Sequence, residues 1–427
     1  MTTGAPKNVL IITSSGGGGL LQAAKAKEQE IRKKYPDVNI VRKDLLIDWI
    51  GKFIGNFGEK RWNTAQRKGD IRIQEQLINQ QKYAEYLFWA QIFYWTLKTI
   101  FNEDIDHVID TQAIGTSPIL KAIRIYNRKR NKKVMLEKVV VDLPTRKATH
   151  FFRTVKKLSE NDRKFFKLVT IDPLCEENET PEQFWKEQCN LTSKEIQYEY
   201  YYIRDCFRDY QDKPRTTEPF TISINVKGAT GARLIEKTFQ KGRIKGGTRK
   251  GGFDFKIMSQ DKLFTILLGS QPSTNGTLNY VKQIVKGVQN HGDSQRNYHL
   301  FVYCAEYIPG EKSLFRQVYE ALSRVKNYPK NLSVIPMSFQ DESVIAPLFY
   351  RSDMTITRSG GQTAMELMSV MHGQIFVHSE AKTLDREGLL RGIPGWESGN
   401  AVYLEEKNGA KIITPDTLPQ YLDSCLT

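Results

Sequence analysis

The chain has 427 residues, of which 40% are hydrophobic and 26% charged, a composition that excludes a disordered, collagenous or low-complexity protein and suits two or three packed domains. Against 48 Asp and Glu stand 63 Lys and Arg, a net charge of +15, which implies an anionic partner: nucleic acid, an acidic membrane surface or a phosphorylated substrate. The five cysteines lie far apart without a CxxC pair, so neither a zinc site nor a disulfide framework is expected and a reducing compartment fits.

No apolar core of secretory-signal type precedes the first strand, so a cytoplasmic location is expected. Asn8 to Thr13 (NVLIIT) reads as a buried strand, the glycine run after it as a loop, and Leu20 to Lys33 as a helix. Leu87 to Phe101 is apolar on nearly all faces but too short to span a membrane and interrupted by Lys98, which predicts a buried or interfacial helix. A strand at His107 to Ile109 leads into a turn and helix, and another at Lys138 to Val141 ends in Asp142. Such alternation predicts a parallel sheet.

After Phe151 the chain becomes charged and tyrosine-rich, passing Tyr198 to Tyr202 and a glycine and lysine run at Lys241 to Phe255, with an interdomain boundary near Asp212. A second series of strand signals follows at Leu263 to Gly269, His299 to Cys304, Leu332 to Ile335, Met354 to Thr357 and Gln374 to Val377. The expected organisation is α/β with two Rossmann-like domains, 1–212 and 213–410, the second carrying a basic glycine-rich insertion, and a tail at 411–427. No fixed repeat period is present.

Four stretches carry chemistry. Ser14-Ser15-Gly16-Gly17-Gly18-Gly19 follows a strand and precedes a helix, where Gly17 and Gly18 can let the backbone approach an anion. A plain tight turn is the alternative, as it is for the similar loop Gly269-Ser270-Gln271-Pro272. Arg358-Ser359-Gly360-Gly361 with Thr363 and Glu366 is a strand end, a set of small residues that leave room for a nucleotide, a helix N-terminus for a phosphate and a carboxylate for ribose hydroxyls. Pro394-Gly395-Trp396-Glu397-Ser398-Gly399-Asn400 is a glycine-bounded loop with one carboxylate.

With Val141-Asp142-Leu143 and Ile203-Arg204, these stretches occur in the order seen in monogalactosyldiacylglycerol synthases, processive diacylglycerol glucosyltransferases and the peptidoglycan lipid-intermediate N-acetylglucosaminyltransferase. The chain resembles that family over roughly residues 8 to 405, with insertions at about 153 to 185 and 213 to 258. The resemblance implies a GT-B fold, two Rossmann-like domains facing across a cleft, and an inverting transfer of a hexose from a UDP-sugar to an acceptor hydroxyl. By position, Glu366 matches the ribose carboxylate, Ser270 and its loop the diphosphate cradle, Glu397 and Asn400 the donor-sugar contacts, and Arg204 the arginine that neutralises the leaving diphosphate. Such enzymes need no bound metal and no cofactor beyond the donor, because helix amides and an arginine replace the metal's charge.

The glyceroglycolipid members carry a histidine just after the first glycine run, where Gly19 and Leu20 stand here. The general base falls instead to Asp142, at a strand end that would line the cleft, then to His150, then to Asp110. Trp396 replaces the family's glutamine, which leaves the donor sugar open.

A lipid acceptor at a membrane surface is expected, with peripheral attachment through Leu87 to Phe101 and the basic residues Lys60 to Arg72. A core helix with solvated charges is the alternative. Two other functions share the motifs: a nucleotide-sugar epimerase, and a catalytically silent scaffold that binds an anionic partner. Nucleic acid is not expected, since no RNP, KH, helix-turn-helix or zinc-finger pattern occurs.

Overall fold

Runs of aliphatic and β-branched residues, closed off by glycine or polar turns, build two separate six-stranded sheets. The computed structural model describes residues 5–15, 18–148, 152–216, 218–243, 246–306 and 313–427. Its first half runs β1 (Asn8–Thr13), α1 (Gly18–Lys34), β2 (Asn39–Asp44), a π-helical turn (Leu45–Ile50), α2 (Lys52–Lys68), α3 (Ile71–Leu87), α4 (Trp89–Asn102), β3 (His107–Asp110), α5 (Thr116–Arg130), β4 (Met135–Val139), α6 (Phe152–Val155), α7 (Glu160–Arg163), β5 (Phe166–Thr170), α8 (Pro181–Cys189), β6 (Ile196–Tyr198) and α9 (Asp205–Arg208). The second half runs β7 (Phe220–Asn225), α10 (Ala229–Phe239), β8 (Gly247–Arg249), β9 (Gly252–Ile257), β10 (Lys262–Leu267), α11 (Thr274–His291), β11 (Tyr298–Tyr303), α12 (Leu314–Ser323), β12 (Leu332–Met337), α13 (Glu342–Arg351), β13 (Met354–Thr357), α14 (Gly361–Val370), β14 (Gln374–His378), α15 (Arg386–Arg391), α16 (Gly395–Asn408), β15 (Lys411–Ile413) and α17 (Pro419–Leu426).

The first sheet has the order β2-β1-β3-β4-β5-β6 and the second β12-β11-β10-β13-β14-β15. Every pairing in both is parallel. Helices on both faces explain why β11, β12 and β13 are buried along their whole length rather than at alternate residues. The strand order reverses between β1 and β3 in one sheet and between β10 and β13 in the other. Those switch points are where doubly wound sheets bind ligands, outside the carboxyl ends of the strands, and Gly18 at the start of α1 and the glycine loops after β10 and β13 sit there.

The two halves share an apolar core. Val9, Ile11 and Ala24 of the first pack with Ile345, Phe349, Ala364 and Met365 of the second, and Ile203 and Phe207 of the connecting segment join them. This is the GT-B architecture: two Rossmann-like sheets whose switch points face one another.

Some elements depart from the sequence expectation. Residues 411–427, expected to be a tail, supply β15, which pairs with β14, and α17, whose Leu422 and Leu426 enter the core of the second half. From Gly247 onward the glycine and lysine run folds as β8 and β9, which with β7 form a three-stranded antiparallel sheet. Its glycines allow tight crossing: a Cβ on Gly252 would lie 2.0 Å from the Ile224 carbonyl oxygen. The Leu87 to Phe101 stretch is amphipathic, not apolar all round: Ile92, Thr96, Thr99 and Ile100 of α4 are buried, while Leu87 and Tyr94 are exposed. Among the described residues no helix is long and apolar enough to cross a membrane.

Candidate functional site in the interdomain cleft

The facing switch points touch. A Cβ on Gly18, at the start of α1, would lie 3.5 Å from the Ser270 Cβ of the loop after β10. Gly17 and His150 lie outside the described residues. Gly269 has φ +81°, a left-handed turn that glycine adopts without strain, and it starts the loop that leads to α11. Ser273 caps α11 by accepting from the Gly276 N–H at 3.2 Å, so a helix N-terminus faces the cleft beside Ser270 and Gln271.

On the β13 side, Gly360 is the N-cap of α14. A Cβ on Gly361 would lie 2.1 Å from the Val141 carbonyl oxygen and 2.6 Å from the Asp142 Cα. The small residues expected to leave room for a nucleotide therefore accommodate the opposite half's backbone in this closed arrangement. Thr363 follows in the first turn of α14 and is half-buried.

Glu366, one turn further along α14, is buried, and so is Arg204. Arg204 Nε donates to Glu366 Oε1 at 2.7 Å and Nη2 to Oε2 at 2.8 Å. Gln362 Nε2 donates to the same Oε1 at 3.1 Å, and Glu342 approaches Arg204 Nη1 at 3.5 Å. Burial works to lower the Arg204 pKa, but Glu366 and Glu342 together outweigh it and hold the guanidinium above its ordinary value. Lys25 pairs with Glu342 at 2.5 Å, extending the network to α1.

A second arginine–glutamate pair lies at the other end. Arg358 donates to Glu397 Oε2 from Nε at 3.2 Å and from Nη2 at 2.8 Å, and Nη2 also reaches Gln74 Oε1 at 3.0 Å. Ser359 Oγ donates to the Glu397 carbonyl at 2.7 Å, which ties the β13 loop to α16. The amide oxygen of Gln66, in its satisfied orientation, accepts from Arg358 Nη1 and Trp62 Nε1, both at 3.2 Å. Trp62 stacks on Trp396, ring centroids 5.8 Å apart.

Gln66 and Gln74 lie on α2 and α3, whose corner at Gly69-Asp70 enters the cleft. Gly69 ends α2 in the left-handed region and Asp70 caps α3 through the Ile73 N–H, a pattern legible in the sequence. Its long-range partners were not: Arg67 Nε donates to Gln271 Oε1 at 2.7 Å, and a Cβ on Gly69 would lie 2.3 Å from Glu380 Oε1. Between the corner, Arg358, Glu397, His378 and Glu380 remains a cavity of about 10 Å³, room for roughly one water molecule.

His378, the last residue of β14, and Glu380 just beyond it are also absent from the sequence expectation. Tyr280 Oη donates to the Ile413 carbonyl at 3.2 Å and lies 3.0 Å from His378 Nδ1; its single proton is engaged, so His378 Nδ1–H donates to it. His378 Nε2 then faces Glu380 Oε1 at 3.1 Å, without hydrogen-bond alignment. Burial raises the Glu380 pKa, yet His378, Ser273 and Arg358 together outweigh it and the carboxyl sits below its ordinary range.

Of the expected bases, Asp142 follows β4 at the seam and is buried. Asn400 Nδ2 donates to its Oδ1 at 2.8 Å. Asp110 is fully enclosed and paired with Lys138 Nζ at 2.7 Å, both side chains at 0% exposure, so the pair is a structural element of the first sheet. Among the described residues no group of three or more His, Cys, Asp or Glu could hold a metal ion.

No protein-family model matches the chain, and no curated protein is similar to it in sequence. Solved structures do resemble it: MurG from Acinetobacter baumannii at 12% identity and TM-score 0.46, covering 99% of this chain and 91% of that one. A glycosyltransferase from Rickettsia africae has 13% identity and TM-score 0.42, covering 98% and 87%. UDP-GlcNAc 2-epimerase from Neisseria meningitidis, bound to UDP-GlcNAc, has 11% identity and TM-score 0.40, covering 98% and 97%. At these values the likeness says nothing of activity, and the GT-B assignment stands on the two strand orders and the facing switch points.

Proposed function

We propose that the protein is a glycosyltransferase that moves a hexose from a UDP-sugar to an acceptor hydroxyl with inversion. The observation that carries this reading is the seam itself: the switch points of two parallel sheets meet, and Asp142, Arg204, Glu366, Arg358 and Glu397 gather along it. In the proposed reaction Glu366 takes the ribose hydroxyls, the α11 N-terminus with Ser270 takes the diphosphate, and Glu397 takes sugar hydroxyls. The acceptor oxygen attacks the anomeric carbon as its proton passes to Asp142. The bond from that carbon to the phosphate oxygen breaks, and UDP leaves toward Arg204. No metal is invoked.

The acceptor in this reading is a lipid at a membrane surface. Phe57, Tyr83, Tyr86, Leu87 and Tyr94 of α2, α3 and α4 are exposed, and Lys60, Arg61, Lys68 and Arg72 on α2 and α3 are exposed as well. Aromatic and basic residues together suit an anionic interface. A second reading, a nucleotide-binding scaffold without turnover, is favoured by one observation: both cleft arginines pair with the very carboxylates that would read the donor.

Thermal melts with UDP-glucose, UDP-galactose, UDP-GlcNAc and GDP-mannose test the donor assignment, since a ligand held only by the folded state raises the melting temperature. A rise with a UDP-sugar and none with GDP-mannose supports it; the reverse sinks it.

A further inference from the structure

Asn400 was expected to touch the donor sugar, but both of its side-chain N–H donors are taken up within the protein. It lies on α16 at 0% exposure. Its Oδ1 accepts from the Leu143 N–H at 2.7 Å, and its Nδ2 donates to Asp142 Oδ1 at 2.8 Å and to the Ser359 carbonyl at 2.7 Å. A side-chain amide has two N–H donors, and both are engaged. The opposite amide orientation would set its NH2 against the Leu143 N–H and its oxygen against a carboxylate and a carbonyl, so the network determines which atom points where.

The backbone around this contact permits no slack. A Cβ on Gly399 would lie 2.2 Å from Thr145 Oγ1, and one on Gly361 would lie 2.6 Å from the Asp142 Cα. α16 and α14 thus press on the 141–148 segment from two sides, and only glycine allows that approach. Asp142 belongs to the first half and Asn400 to the second.

We propose that Asn400 is the positioning residue of Asp142, gripping both its carboxylate and the following peptide N–H, so that the base is aimed only while this edge of the cleft is closed. The inference rests on the proposed transfer reaction with Asp142 as its base. Closure of this edge then assembles the catalytic constellation, and donor affinity does not depend on Asn400.

The test is turnover of a UDP-sugar, followed by UDP release, beside calorimetric UDP-sugar binding, in Asn400→Ala and Asn400→Asp. The second variant keeps the side chain's size and the acceptor for Leu143 N–H while replacing the donor to Asp142 with a carboxylate. Both are expected to lose about 10- to 100-fold in kcat, a share of what general-base catalysis supplies, with donor Kd within about twofold of wild type. In an Asp142→Ala background, Asn400→Ala is expected to cost no further kcat, because residues acting as one unit are not additive; a purely structural role would cost as much again. Weakened donor binding with unchanged kcat would make Asn400 a sugar contact and overturn the proposal, as would an additive loss. A wild-type protein that releases no UDP from any donor overturns the transfer reading itself, and this inference with it.

Discussion

Arg204 and Glu366, the residues proposed to meet the donor's diphosphate and its ribose, hold each other in a two-pronged pair at 2.7 and 2.8 Å. With Gln362 also on Oε1, the Glu366 carboxylate has too few free lone pairs for two ribose hydroxyls. In the proposed reaction donor binding is therefore an exchange: ribose would replace guanidinium on Glu366 and the diphosphate would replace carboxylate on Arg204.

That exchange makes a stability prediction. Removing one member of a buried ion pair costs about 3–5 kcal/mol, and Glu342 at 3.5 Å from Arg204 puts Glu366→Ala toward the lower end. The double variant Arg204→Met with Glu366→Leu is expected to recover most of the loss in urea unfolding, while binding of UDP is abolished in both. A double variant that binds UDP like wild type would contradict the exchange.

The α2–α3 corner leaves only about 10 Å³ beside Arg358 and Glu397, so in the proposed reaction a donor sugar would enter only after the corner withdraws. Apparent affinity falls with the fraction of molecules in the competent state. Arg67→Ala removes the bond to Gln271 and is expected to tighten UDP-sugar binding about threefold by calorimetry. Weaker binding would mean that Arg67 contacts the donor instead.

Asp110 and Lys138 form a pair with no exposed surface. Burial raises the Asp110 pKa against the opposing pull of Lys138. Lys138→Met strands the carboxylate and is expected to destabilise the fold by about 3–5 kcal/mol at pH 7. A raised carboxyl favours the folded state once protonated, so the deficit shrinks as pH falls toward the ordinary carboxylate range. Urea midpoints at pH 7 and pH 5 check this; a deficit that grows on acidification would contradict it.

Glu380 has the opposite sign. Burial raises its pKa but His378, with Ser273 and Arg358, outweighs that and lowers it, so its contribution is present above the unfolded value of about 4.5 and is lost as pH falls below it. Wild type is expected to exceed Glu380→Gln in urea stability at pH 7 and to converge with it as pH falls through the carboxyl's lowered pKa. An advantage that persists in acid would assign the effect to packing.

The alternation of strand and helix signals from Asn8 to Thr13 onward and again from Leu263 announced two parallel sheets, because continuous aliphatic runs mark strands covered on both faces. Short or polar strands were not legible: β2 is exposed or half-buried along its length, and β6 has three residues with two exposed. Glycine loops and carboxylates at the strand ends located the cleft. What they face is another matter. The Gln74–Arg358, Arg67–Gln271 and Asn400–Asp142 contacts join residues 204 to 284 positions apart, and no local pattern encodes such pairing. Gly361 shows the limit well: its smallness was readable, but the Val141 carbonyl that requires it belongs to the other half.

The most direct measurement is the fate of a UDP-sugar incubated with the protein and acceptor-bearing anionic vesicles, following UDP by chromatography and the sugar by mass spectrometry of the lipid. The account predicts UDP and a lipid heavier by one hexose or N-acetylhexosamine in equal amounts, with both products abolished by Asp142→Asn and Glu397→Ala. Tight binding of UDP with no sugar consumed on any lipid, glycan or protein acceptor would contradict it and leave the silent scaffold.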